Sequence, residues 1–245
     1  MKPQHQECVM KANKLLLLVL FLFSASLRAQ TAKEFMQTGS AHLENKKYKS
    51  AHAAFVKAQR MSPGNYDAFF LDGMALYQLG YQNKALKMFK KAKDIDTGPA
   101  AVHFMIGQCY LKKRARKKAI MYYDVAIAKD TSKSTYYHYR GLALYRKKKY
   151  DEAKKSFYSA TIKRSPVRES FLFLGLCDNK KKRYSVAIDD FTVCLDKFPD
   201  YGLAYYNRAI LKIKIDEEVG ACGDLEESLK YNYQRAAKKL KKYCR

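Results

Sequence analysis

Residues 66–99 read YDAFFLDGMALYQLGYQNKALKMFKKAKDIDTGP. Four positions in this stretch, Gly73, Ala85, Phe89 and Ala92, return at a fixed spacing of 34 residues along most of the chain. The glycine recurs at Gly39, Gly107, Gly141 and Gly175, and the alanine at Ala51, Ala119, Ala153 and Ala187. The aromatic recurs at Phe55, Tyr123, Phe157 and Phe191, and the second small position holds Ala58, Ala126, Ala160 and then Cys194. A constant period of this length marks a stacked repeat array, in which each unit buries its apolar face only against its neighbours. Such arrays usually bind and seldom catalyse.

The physical reason for the small residues is close approach. Two helices reach the short end of the usual interaxial range only where the contact positions carry little side chain. The aromatic four residues beyond the alanine lies on the same helical face and fills the space between units. This pattern resembles the tetratricopeptide repeat, TPR, a pair of antiparallel helices. In that frame the repeats occupy residues 32–65, 66–99, 100–133, 134–167, 168–201 and 202–233. The resemblance implies an all-α fold, a right-handed TPR superhelix (α-solenoid) of about six helix-turn-helix repeats. The family's early tryptophan is replaced by Phe35, Phe69, His103, Tyr137, Phe171 and Tyr205. The late proline stands at Pro63 and Pro199, is displaced to Pro99 and Pro166, and is missing from the third repeat. The sixth unit drifts, with Ala209, Ala221, Leu225 and Ser228 at the marker positions, as expected of a terminal unit that faces water or a cap. Residues 234–245 are expected to form that cap, because Tyr233, Ala236, Ala237, Leu240, Tyr243 and Cys244 share one helical face.

Upstream of the repeats, Leu15 to Phe23 is an unbroken apolar run, preceded by Lys11 and Lys14 and followed by Ser24, Ala25, Ser26, Leu27, Arg28, Ala29 and Gln30, in which Leu27 makes the small-residue rule for cleavage imperfect. It is too short to span a bilayer and suits the core of a secretory signal peptide, assigned to residues 1–30. An uncleaved signal anchor is the alternative, and a buried core helix the bland one. Met10 opens a more compact version of the same signal. Export predicts a periplasmic or cell-envelope location in a double-membraned bacterium.

Of the cysteines beyond the signal, Cys109, Cys177 and Cys194 sit at small, core-type repeat positions and read as buried hydrophobes. Cys222 opens the last repeat helix and Cys244 lies near the end of the cap. In an oxidising compartment they are expected to pair and hold the cap on, and this ending also resembles that of exported bacterial TPR proteins. No cysteine pair has zinc-ligand spacing, so no metal and no cofactor is expected.

The chain carries a net charge of +25. Much of the excess lies between the helices of successive repeats: Lys112, Lys113, Arg114, Arg116, Lys117 and Lys118; then Arg146, Lys147, Lys148 and Lys149; then Lys180, Lys181, Lys182 and Arg183. Equivalent turns of a solenoid stack along one edge, so these clusters are expected to form one basic ridge with hardly any acids among them. Such a ridge is either a solvated surface favourable to the helix dipoles or a seat for an anionic envelope component, a phosphate-bearing polymer or lipid. Export and the lack of any nucleic-acid-reading motif argue against nucleic acid.

TPR arrays bind peptides or helices along a concave face built from the first helix of each pair. Carried onto this sequence, that groove is lined by Phe70, Met74, Tyr77, Phe104, Gln108, His138, Leu142 and Tyr145 among others, and part of this set must serve as core. Met36 and Ser40 stand where carboxylate-gripping TPR domains carry lysine and asparagine, so that clamp is not expected. No catalytic constellation is evident. The histidines have no triad partner at a suggestive spacing, Asp189 and Asp190 point to different sides of a helix, and the glycines belong to the repeat. The reading is therefore a non-enzymatic scaffold that holds a protein or peptide partner, with membrane contact only through an uncleaved signal anchor.

Overall fold

The computed structural model describes residues 3–244, with the side chains of Leu16, Leu17 and 26–244. Thirteen α-helices make up the described residues and no strand occurs among them. They are α1 (Pro3–Glu44), α2 (Tyr48–Met61), α3 (Tyr66–Gln78), α4 (Gln82–Ile95), α5 (Ala100–Lys112), α6 (Arg116–Lys129), α7 (Ser134–Arg146), α8 (Tyr150–Thr161), α9 (Arg168–Lys180), α10 (Tyr184–Lys197), α11 (Gly202–Lys214), α12 (Glu218–Lys230) and α13 (Arg235–Tyr243). The chain divides into two compact units, with the boundary between Cys109 and Tyr110.

Each repeat is held by the period-34 positions. The alanines Ala51, Ala85, Ala119, Ala153 and Ala187, and the aromatics Phe55, Phe89, Tyr123, Phe157 and Phe191, are all fully buried. The glycine and the aromatic of one unit touch directly. A Cβ at Gly39, Gly73, Gly141 or Gly175 would come 2.5–2.7 Å from the ring of Phe55, Phe89, Phe157 or Phe191. Only hydrogen leaves room for the ring at that approach.

The turn after each first helix is also fixed by the period. Lys46, Gly80, Arg114, Lys148, Lys182 and Asp216, each 34 residues after the last, all have positive φ between 56° and 81°. In each case the next residue's amide reaches back five residues, as in Tyr81 N–H to Leu76 O at 2.9 Å and Lys149 N–H to Leu144 O at 3.0 Å. The left-handed residue followed by this bond is a Schellman stop, which satisfies carbonyls that the helix end would otherwise leave bare.

Helix α1 runs for 42 residues, whereas α3, α5, α7, α9 and α11 have 13 each. Its last 13 residues, 32–44, complete a unit with α2. Leu16, Leu17 and Leu27 on the earlier part are exposed. Among the described residues no helix is long and apolar enough to cross a membrane.

At the other end, α13 covers the sixth unit. Ala236 is fully buried with Ala209, Ala221 and Leu225, and Leu240 and Cys244 pack against them. A disulfide joins Cys222 to Cys244, with Cα atoms 5.6 Å apart. The other three described cysteines, Cys109, Cys177 and Cys194, lie outside the disulfide and are buried. Burial pushes the thiols of Cys177 and Cys194 up to about 12, which keeps them protonated and unreactive at neutral pH.

Candidate interaction site

In the first unit, Phe70, Met74 and Tyr77 occupy successive turns of α3 and are each partly exposed. Phe70 stacks on Tyr66 with centroids 5.6 Å apart and leans on Phe89 at the same distance. It is thus anchored at its base and open at its edge. Phe104 on α5 is likewise half-buried, but Gln108, one turn further, is 7% exposed.

The second unit presents Leu142 and Tyr145 from α7. Both pack on a core of Leu144, Ala153, Phe157, Leu174 and Cys177 while keeping an open side. Tyr145 meets Tyr150 and Phe173 edge-on at 5.3 and 5.4 Å. Burial raises its hydroxyl to about 12, so it stays a neutral phenol that can still donate one hydrogen bond. His138 is different. It is 6% exposed, its Nδ1 lies 2.8 Å from Ser170 Oγ, and its ring lies beside the stacked pair Phe157 and Phe173, at 5.7 and 6.1 Å between centroids. Burial lowers its pKa to about 4, against a weaker upward pull from Glu169, so the ring is neutral at pH 7.

Gln108 and His138 therefore depart from the expected groove lining. The next repeat offers the small Ser170 opposite His138, and the ring fills the space. Packing takes both side chains out of reach of a partner. His103, at the position of the family's early tryptophan, is buried with Nε2 3.2 Å from Thr97 O.

The basic turns are less uniform than the sequence implies. In the fourth repeat Lys149 pairs with Glu152 at 2.8 Å. Lys181 and Arg183 of the fifth both reach Asp151, and Arg183 also reaches the buried Asp178. These contacts hold the carboxyl groups of Asp151 and Glu152 below the usual range. The expectation of hardly any acids is corrected here. Asp151 and Glu152 fill the first turn of α8, where the helix dipole favours them, and from there they meet the lysines of two turns. Arg146, Lys148, Lys180 and Lys182 remain exposed, as does Lys112.

At the third repeat, Lys113, Arg114, Arg116, Lys117 and Lys118 join Lys147 from the following turn around a depression of about 560 Å³. Tyr110 also lines it. That ring stacks on Tyr122 at 5.6 Å and carries the Lys118 ammonium 5.6 Å from its centroid. No acidic residue lines the depression.

Several polar braces, each with one buried end, follow no pattern in the apolar residues. Asp72 is fully buried, contacts His52 Nδ1 and accepts from Gln59 Nε2 at 2.9 Å; burial raises its pKa in spite of them. Lys154 bridges Asp178 and Asp190, the latter at 2.8 Å. Burial raises Asp190 to about 6. Arg140 and Arg208, 68 residues apart, make the same fork. Arg140 joins Asp124 of α6 to Ser156 of α8 at 2.5 and 2.6 Å. Arg208 joins Thr192 of α10 to Asp224 of α12, with the carboxylate held by two bonds of 2.9 and 2.6 Å. Both forks tie the second helices of adjacent repeats through the first helix between them. Among the described residues no group of histidine, cysteine, aspartate and glutamate is arranged to hold a metal ion.

The repeat geometry agrees with comparison at the level of sequence. The pattern described as "Tetratricopeptide repeat" matches residues 36–99 and 139–202, together more than half of the chain. The chain belongs to the tetratricopeptide repeat family. A comparison with curated proteins finds no match. Solved TPR structures share the fold. The C-terminal part of a TPR repeat-containing protein from Cytophaga hutchinsonii superposes with a TM-score of 0.71 at 20% identity, covering 83% of this chain and 81% of that one. A TPR protein from Parabacteroides merdae gives 0.69 at 17% identity, over 88% and 94%. YrrB, described as a TPR protein with an unusual peptide-binding site, gives 0.64 at 18% identity, over 77% and 98%. This chain is thus a TPR α-solenoid, a fold that generally serves as a non-catalytic scaffold for protein–protein interaction.

Proposed function

We propose that this TPR protein is exported to the envelope of a double-membraned bacterium and there holds a segment of a partner protein against the first helices of its repeats. The observation that carries the reading is that each compact unit presents anchored, half-open apolar side chains on those helices, Phe70, Met74 and Tyr77 in the first and, separately, Leu142 and Tyr145 in the second. Rigid aromatic residues with buried bases and open edges cost little side-chain entropy on binding and tend to dominate interface energy. Peptide binding by YrrB, a protein of the same fold, is consistent with this use.

Export rests on the lysine-flanked apolar run Leu15–Phe23, on the disulfide in the C-terminal cap and on the length by which α1 exceeds a repeat helix. Edman sequencing of the protein from its native cell is expected to start near Thr31. The partner site is tested by in-cell crosslinking of the intact chain beside a Phe70→Ala/Tyr77→Ala variant. The crosslinked species should vanish with the variant while far-ultraviolet circular dichroism stays unchanged. A complex that survives both substitutions would overturn the site.

A second reading concerns the basic ridge and an anionic envelope component. It is favoured at one place, the third repeat's turn, where the cations stand around a depression with no lining carboxylate. In the fourth and fifth repeats Glu152 and Asp151 already answer part of the charge.

A further inference from the structure

We propose that the depression at the turn between α5 and α6 is a discrete binding site for a phosphate-bearing anion of two or more charges. The inference rests on the anion reading of the ridge but narrows it from an edge to one site. It is independent of the partner-binding face.

The first ground is convergence. Five cationic side chains from a single turn and a sixth, Lys147, from the next line one depression of about 560 Å³. That size lies within the range of small-molecule sites. One monovalent carboxylate would leave most of this charge unanswered, whereas phosphate offers several acceptor oxygens for arginine forks and lysine point charges.

The second ground is a contrast between equivalent turns of one chain. Helix α8 begins with Asp151 and Glu152, which answer its own dipole and the neighbouring lysines. Helix α6 begins with Arg116, Lys117 and Lys118 and has no acid in its first turn. Three cations at a helix N-terminus oppose the macrodipole, and they also repel one another. No side chain caps this end either, since the N-cap residue is Ala115. An external anion would relieve both defects at once, because helix N-terminal amides and cations bind the same charge. The fold holds the cations in place: Arg114 is the left-handed residue of the Schellman stop, φ 60°, and Ala115 N–H bonds Tyr110 O at 2.9 Å.

The test titrates the full chain with sodium tripolyphosphate by calorimetry and, separately, sediments it with phosphatidylcholine vesicles with or without phosphatidic acid. Two charge-matched variants are compared, Arg116→Glu/Lys117→Glu/Lys118→Glu at the site and Lys148→Glu/Lys180→Glu/Lys182→Glu elsewhere on the ridge. Glutamate suits the first turn of α6, so the site variant should fold, which circular dichroism checks. Saturable binding is expected, weakened at least roughly tenfold by the site variant and no more than about threefold by the ridge variant. Site-dependent binding of tripolyphosphate alone assigns a soluble phosphate compound, and site-dependent binding to phosphatidic acid vesicles assigns a lipid headgroup. Equal losses in the two variants would overturn the discrete site and leave the ridge as a diffuse field. Binding to neither probe would overturn both.

Discussion

At the residue scale the turn positions carry a cost that the sequence does not advertise. A left-handed backbone disfavours any side chain with a Cβ by about 1–2 kcal/mol, and five of the six equivalent turns accept it with Lys46, Arg114, Lys148, Lys182 and Asp216. Only the second repeat uses glycine. Gly80 has nothing within 4 Å of a built Cβ, so Gly80→Ala tests the backbone alone. It should destabilise the protein by about 1 kcal/mol, while Lys148→Gly should stabilise it by a similar or smaller amount after the entropy of glycine is charged. Urea denaturation reads both, and equal stability of all three proteins would contradict the argument. His138 supplies a second test. Above pH 6.5 its ring is neutral in both folded and unfolded chains. Below that the unfolded chain gains a proton that the folded one refuses until about pH 4, so this contribution to stability falls as pH falls. Asp190, raised to about 6, has the opposite slope, because the folded chain keeps a proton that the unfolded one releases. The informative quantity is therefore the difference between the wild type and His138→Gln, which keeps a partner for Ser170. The wild type should lose about 3 kcal/mol relative to the variant between pH 7 and pH 4. Parallel curves would show that the ring is not held neutral.

At the element scale the capping helix shows how little of the structure can rest on packing alone. Helix α13 has nine residues and one fully buried side chain, Ala236. A helix that short is marginal by itself, so the Cys222–Cys244 bond closing a loop of sequence separation 22 should contribute roughly 3 kcal/mol. Cys244→Ser is expected to lower the melting temperature by several degrees and to open α13 to hydrogen exchange while α7 to α10 keep their protection. An unchanged melting temperature would mean that Leu240 and Ala236 suffice. The helices themselves were legible in the sequence, because the 34-residue marker positions are the ones the helices must bury: Gly73 and Phe89 announce a contact that no larger pair would fit. The polar braces were not. Asp178 and Asp190 converge on Lys154 from two helices, although Asp190 read from sequence is only half of an adjacent acidic pair. The forks of Arg140 and Arg208 keep a spacing of two periods, which a search of polar positions at the repeat length could have found. The apolar face candidates were legible only as a set. Whether His138 fills a hole or lines a surface depends on Ser170 one repeat later, a fact of assembly and not of periodicity.

At the scale of the whole molecule, charge is the property that the fold does least to resolve. The chain carries +25, and the ion pairs on its surface are mostly exposed, of the kind that each contribute between nothing and about 1 kcal/mol. Self-repulsion of such an excess destabilises the compact state and is screened as the Debye length shrinks from about 30 Å at 0.01 M salt to about 8 Å at 0.15 M. The fork of Arg208 responds weakly to salt, since its partner Asp224 is buried and Arg208 itself is largely covered. Repulsion should therefore win, and the melting temperature should rise between about 0.01 and 0.3 M sodium chloride, most steeply at the low end where the Debye length changes fastest. The charge-reversed site variant at Arg116, Lys117 and Lys118 lowers the net charge by six and places its acids where the α6 dipole favours them, so its salt response should be shallower and its stability at low salt higher. A wild-type melting temperature that falls with salt would show instead that the exposed pairs, such as Lys149 with Glu152 and Arg168 with Asp200, outweigh the net charge. The basic turns would then be an internally balanced surface with no need of an anion.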